Sequence, residues 1–129
     1  VGASENNDPP QRYDGNVALF SSIGPAVGNR IKPDVVAPGF TIESANSNAQ
    51  TGGNPCPTTP LAGTSMATPI TAGDVALVRQ YLREGYFPTG QKGGGPQVIP
   101  SGALMKAMIV HSGFDVSCPT CTYRNGPVT

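Results

Sequence analysis

The chain has 129 residues, with 8 basic and 8 acidic side chains and a formal net charge of +0, so it carries no basic surplus to hold a nucleic acid or an anionic membrane surface. Its longest apolar runs fall well short of the roughly 20 residues that a bilayer span requires, and Val1-Gly2-Ala3-Ser4 has neither the charged nor the apolar region of a signal peptide. The 17 glycines and 14 prolines are spread between apolar runs, which predicts many turns joining short elements in one continuous unit over residues 1–129.

In chain order, Val17-Ala18-Leu19-Phe20 follows the Asp14-Gly15-Asn16 turn and reads as a short buried strand. Residues 21–32 contain Gly24, Pro25, Gly28 and Asn29 and read as loop. Val35-Val36-Ala37 is a second apolar run, closed by Pro38-Gly39, and Thr41 to Ala45 is the next strand. Residues 46–60, rich in Asn, Gln, Thr, Gly and Pro, form a surface excursion, and loops of such length are commonly functional.

The pattern then changes period. Residues Ser65 to about Arg83 predict a long helix, with Thr64 or Ser65 as its cap and Pro69 near its first turn. Ile70, Val75, Ala76, Leu77, Val78, Tyr81 and Leu82 make it apolar around most of its circumference, so it is expected to be buried on most sides. Gly73 inside it suggests close packing against another backbone. Gly85 ends the helix, a Gly-rich loop follows, and Ser101 caps a second helix running from Gly102 to about Ser112. On that helix Leu104, Ala107, Met108 and His111 share one face, expected to be core. Strands followed by buried helices favour an α/β layer architecture.

Three cysteines form an odd set: Cys118-Pro119-Thr120-Cys121 is a CxxC pair, and Cys56 stands apart. A zinc site needs about four ligands, yet there is no second CxxC and only one histidine, so no metal centre is expected. The reading is disulfides or free thiols of an oxidising compartment, with the pairing left open.

A serine flanked by small residues at a helix start has a rationale as a nucleophile. Gly63 and Ala67 leave room for a substrate backbone, and the helix N-terminus offers unpaired N–H groups and a positive dipole end to a developing oxyanion. Serine is also an ordinary helix cap, so position alone does not decide. The run Gly63-Thr64-Ser65-Met66-Ala67-Thr68-Pro69, followed by Ala72-Gly73, closely resembles the serine motif of the subtilisin-like serine proteases, the subtilases. Val1-Gly2-Ala3-Ser4, Phe20-Ser21-Ser22-Ile23-Gly24-Pro25 and Arg30-Ile31-Lys32-Pro33-Asp34-Val35-Val36-Ala37-Pro38-Gly39 resemble further family stretches in the right order, as does the helix from Ser101 to Gly113. The likeness covers nearly the whole chain and is strongest to the oxidatively stable alkaline protease branch.

That resemblance implies the C-terminal part of a subtilisin-like three-layer α/β fold with a mostly parallel sheet, and a secreted endopeptidase acting on protein or peptide substrates. It implies that Ser65 attacks the scissile carbonyl while its own N–H serves as one oxyanion donor. Leu61, Ala62, Gly63 and Thr64 would line the substrate, Leu61 and Ala62 on the leaving-group side, and Met66 would be the oxidation-sensitive neighbour. It makes calcium a possible ion, although no clustered carboxylates identify a site. Asp34 belongs to a different family motif and is expected to be structural.

The family's aspartate and histidine motifs precede the serine, and neither occurs here. They and the oxyanion asparagine are expected in a preceding N-terminal part of the same catalytic domain, leaving this chain inactive and poorly folded alone. His111, the only histidine, could serve an esterase with Ser65, but position 67 is alanine, so the Gly-x-Ser-x-Gly elbow is lacking. A non-catalytic subtilase-like module that binds peptide or a protein partner is the other reading.

Overall fold

Short apolar runs broken by glycine and proline give short strands, and the one long uninterrupted run gives a long helix. The computed structural model describes residues 1–5, 16–46, 57–114 and 116. Strand β1 (Gly2–Ser4) pairs in parallel with β2 (Val36–Pro38), placing Ala3 opposite Ala37. Strands β3 (Ile42–Ala45) and β4 (Thr58–Leu61) form an antiparallel pair, with Ile42 opposite Leu61. Helix α1 (Thr64–Arg83) leaves β4 through Ala62 and Gly63, and α2 (Gly102–His111) follows a loop that returns along the end of α1. The expected mixed α/β class with a parallel sheet is therefore present.

The buried centre is made of alanines. Ala3, Ala18, Ala37 and Ala67 are 0–7% exposed, and Ile70 packs against them. Methyl groups keep α1 close to the parallel pair, because no larger side chain stands between helix and strands. They also supply little burial, on the order of 3 kcal/mol for four methyls at about 0.8 kcal/mol each. The end of α1 is fixed differently. Gly85 takes φ 65°, a left-handed conformation that suits glycine at a helix C-terminus. The returning loop then bonds back, Gly95 N–H to Gly85 C=O at 2.9 Å and Val98 N–H to Leu82 C=O at 3.0 Å.

Several expectations are corrected. Val17 to Phe20 is not a strand: Val17 makes an isolated bridge to Ser4, and Ser21 N–H bonds back to Ala18 C=O, so the chain turns and leaves Leu19 80% exposed. Thr41 lies outside β3 with φ 55°. The excursion over 46–60 ends in β4, whose Pro60 is tolerated in a two-stranded edge pair; residues 47–56 lie outside the described residues, as do all three cysteines. Helix α1 is not buried on most sides. Among its residues Ala67 alone is buried, Leu77 is 65% exposed, and nothing lies within 4 Å of where a Cβ on Gly73 would stand. On α2 the buried residue is Met105, while Leu104 and His111 face outward. An apolar pattern on all sides fixes no unique inner face by itself, so the pattern alone does not set which side packs.

Asp34 bridges two lysines. It receives a hydrogen bond from Lys32 and an ion pair from Lys106 at 3.1 Å, tying the approach to β2 to α2. These two cations, Lys32 first, hold its carboxyl at about 2, below the ordinary 3.8. Because the folded-state value is depressed, the contribution is present above about pH 4 and is lost as the pH falls towards about 2. Asp34→Asn should therefore lower the thermal midpoint near neutral pH, with the difference shrinking across that acidic window. A difference that stays constant on acidification, followed by calorimetry at fixed ionic strength, would contradict this role.

Candidate active site

The helix carrying Ser65 begins two residues earlier than a Ser65 cap would require. Gly63 is the N-cap (φ 156°, ψ 162°), no side chain caps the helix, and Thr64 and Ser65 occupy its first two positions. The expected capping by Thr64 or Ser65 is thus not observed. The Gly63 carbonyl receives the N–H groups of Met66 at 3.0 Å and Ala67 at 3.4 Å. Ser65 is exposed, and among the described residues neither its hydroxyl nor its N–H has a hydrogen-bond partner. An unspent hydroxyl beside an unspent N–H, at the positive end of a 20-residue helix, is what a nucleophile and its oxyanion donor require.

Pro69 is the sixth residue of α1 and not part of its first turn. Having no N–H, it leaves the Ser65 carbonyl without its usual intrahelical donor. Two threonines brace the same stretch: Thr68 Oγ1 donates to Thr64 C=O at 2.9 Å and Thr71 Oγ1 to Ala67 C=O at 3.2 Å.

Leu61 closes β4 and is 47% exposed, Ala62 is exposed, and Gly63, Thr64 and Met66 are half-buried. These candidates are consecutive in sequence, so their proximity is no surprise. The structure adds Gly39 and Ser4, which sequence reasoning did not nominate. Gly63 N–H donates to Gly39 C=O at 2.7 Å, and Gly39 N–H donates to Ser4 C=O at 3.0 Å. The start of α1 is thereby hung on the C-terminal ends of both parallel strands. The clue available was the Pro38-Gly39 closure of an apolar run. Beside it Phe40 stacks on Phe20, centroids 6.4 Å apart, with each ring 47% exposed.

A cavity of about 450 Å³ lies elsewhere, between α1, α2 and the beginnings of β1 and β2, lined by Val75, Met105, Ile109 and Asp34 among others. None of the candidate residues lines it. His111 makes no hydrogen bond to Ser65, and Asp115 lies outside the described residues.

A family model described as the Subtilase family matches residues 1–125. The chain belongs to the subtilase family. It is 41% identical over 113 residues to the serine protease/ABC transporter B family protein tagB of Dictyostelium discoideum, covering 80% of this chain and 6% of that protein. It is 40% identical over 120 residues to tagD of the same organism, covering 85% of this chain and 7% of that protein. Serine protease AprX of Bacillus subtilis is 42% identical over 89 residues, which are 62% of this chain and 20% of that protein. The chain thus spans a small part of the length of these relatives. No solved structure matches it.

Among the described residues of this subtilase chain, no three His, Cys, Asp or Glu side chains come together as metal ligands. No helix among the described residues is long and apolar enough to cross a membrane.

The two helix-start serines should respond differently to truncation. Ser101 Oγ accepts the Leu104 N–H at 3.2 Å, so Ser101→Ala should cost about 1 kcal/mol. Ser65→Ala should change stability by less than about 0.5 kcal/mol, because nothing bonds to its hydroxyl. Denaturant unfolding of the full-length protein measures both, and a comparable loss for Ser65→Ala would show that its hydroxyl has a structural task.

Proposed function

We propose that this chain carries the nucleophile of a serine endopeptidase. The observation that supports this most is the Ser65 hydroxyl, exposed and unbonded next to its own unpaired N–H at the start of α1. Ser65 Oγ attacks the scissile carbonyl carbon, and its N–H donates to the oxygen that becomes negative. Collapse of that adduct breaks the C–N bond, the amine departs with a proton, and water then hydrolyses the Ser65 ester. Gly63 and Thr64 border the reacting carbonyl, while Leu61 and Ala62 border the leaving-group segment. Met66 follows Ser65 directly, and in this reading its oxidation to a bulkier, polar sulfoxide would impair the site.

The proton leaving Ser65 needs a base; among the described residues none bonds to Ser65, and His111, the one histidine of the sequence, makes no bond to it. The aspartate, histidine and second oxyanion donor belong, in this reading, to a preceding part of the same catalytic domain. The substrate is a protein or peptide and the setting extracellular. If the aspartate and histidine motifs of the full-length protein are replaced, the chain is instead part of a non-catalytic module that binds peptide.

The purified 129-residue chain should show negligible peptide cleavage. In the full-length protein Ser65→Ala should reduce kcat by roughly 1,000-fold or more, whereas His111→Ala should leave it unchanged. Robust cleavage by the chain alone would overturn the missing-base reading, and loss of ester hydrolysis in His111→Ala would favour an esterase pairing with Ser65.

A further inference from the structure

We propose that Gly39 is a positioning residue for Ser65, acting through the carbonyl of Gly63; this rests on the reading of Ser65 as nucleophile. Neither the hydroxyl nor the N–H of Ser65 is held by another group among the described residues, so the backbone of α1's first turn sets the direction of the N–H and the place of the Cβ that carries the hydroxyl. That turn is organised around one oxygen. Gly63 C=O receives Met66 N–H at 3.0 Å and Ala67 N–H at 3.4 Å, closing the chain on both sides of Ser65. Gly63 N–H in turn is held at 2.7 Å by Gly39 C=O.

Gly39 is buried in the gap between this turn and the parallel strands. A Cβ there would stand 2.8 Å from the Gly63 oxygen and 2.6 Å from the Ala3 Cβ, both closer than non-bonded atoms tolerate. The two neighbours cannot yield equally. Ala3 is fully buried, is paired to Ala37, and has its N–H held by Ser21 Oγ at 2.9 Å. The Gly63 side opens on Ala62 and Ser65, which are exposed. A side chain at position 39 therefore displaces the Gly63 carbonyl, and with it the N–H and hydroxyl of Ser65. A misplacement of about 1 Å at a reacting group can cost on the order of 100-fold in rate.

The experiment compares Gly39→Ala, Ala3→Gly and the double variant in the full-length protein. Thermal midpoint, kcat and KM on a peptide substrate, and the fraction of sites titrated by a fluorophosphonate are measured for each. Ala3→Gly removes the 2.6 Å contact but leaves the 2.8 Å contact with the Gly63 oxygen. The double variant should therefore regain most of the lost midpoint while its kcat per titrated site stays about 10- to 100-fold low, with KM within about threefold. Recovery of both midpoint and kcat would overturn the proposal, since Gly39 would then serve packing alone. So would a Gly39→Ala enzyme with undiminished kcat, or a double variant that fails to fold while Ala3→Gly folds. Full activity in Ser65→Ala would instead overturn the nucleophile reading itself, which separates the two failures.

Discussion

The backbone relay from Ser4 C=O to Gly39 N–H, and from Gly39 C=O to Gly63 N–H, is the constraint on which the rest of this structure depends. It couples a parallel pair of strands to the first turn of a long helix with no side chain between them. Only small residues permit such an approach, and the chain supplies them: glycine at 39 and 63, alanine at 3, 37 and 67. At Gly39 a Cβ would stand 2.6 Å from the Ala3 Cβ and 2.8 Å from the Gly63 oxygen, so no side chain fits there. The buried centre of alanines is thus a consequence of the approach, not an independent source of stability.

This arrangement divides α1 into two working halves. Its first turn is held by backbone groups, which leaves the Ser65 side chain free of structural duty. Its remaining turns expose apolar side chains such as Leu77 and Tyr81, and are closed at the far end by the loop bonds to Leu82, Glu84 and Gly85. A hydroxyl that caps a helix is engaged with a backbone N–H and is a poorer nucleophile for it. With the cap at Gly63, both the hydroxyl and the N–H of Ser65 stay without a partner among the described residues. A group of about 450 Å³ of open space lies at the opposite end of the strands, which keeps it apart from this chemistry.

Much of this was legible in the residues. The seven-residue run around Ser65 and its order relative to the Lys32-Pro33-Asp34 and Phe20-Ser21-Ser22 stretches pointed to the family before any coordinates. The long helix, its end at Gly85 and the Ser101 cap followed from local chemistry that acts within a few residues. What stayed hidden was non-local. The inner face of α1 depends on which alanine meets Ala3 and Ala37, and an apolar pattern on all sides cannot choose among them. The Val17–Phe20 run looked like a strand because its residues are apolar, but the turn bond from Ser21 to Ala18 takes precedence. In sequence Gly39 only closes an apolar run; that it sits between Ala3 and Gly63 depends on contacts far apart along the chain. Strand β4 escaped notice because Thr58, Thr59 and Pro60 resemble loop, and only pairing with β3 makes them extended.

The most direct measurement is covalent labelling of the full-length protein with an active-site-directed fluorophosphonate, followed by peptide mapping with tandem mass spectrometry. Stoichiometric label on Ser65 Oγ, formed in step with loss of peptidase activity, is the expected result. Inactivation with the label on another residue, or cleavage that persists after Ser65 is fully modified, would contradict it.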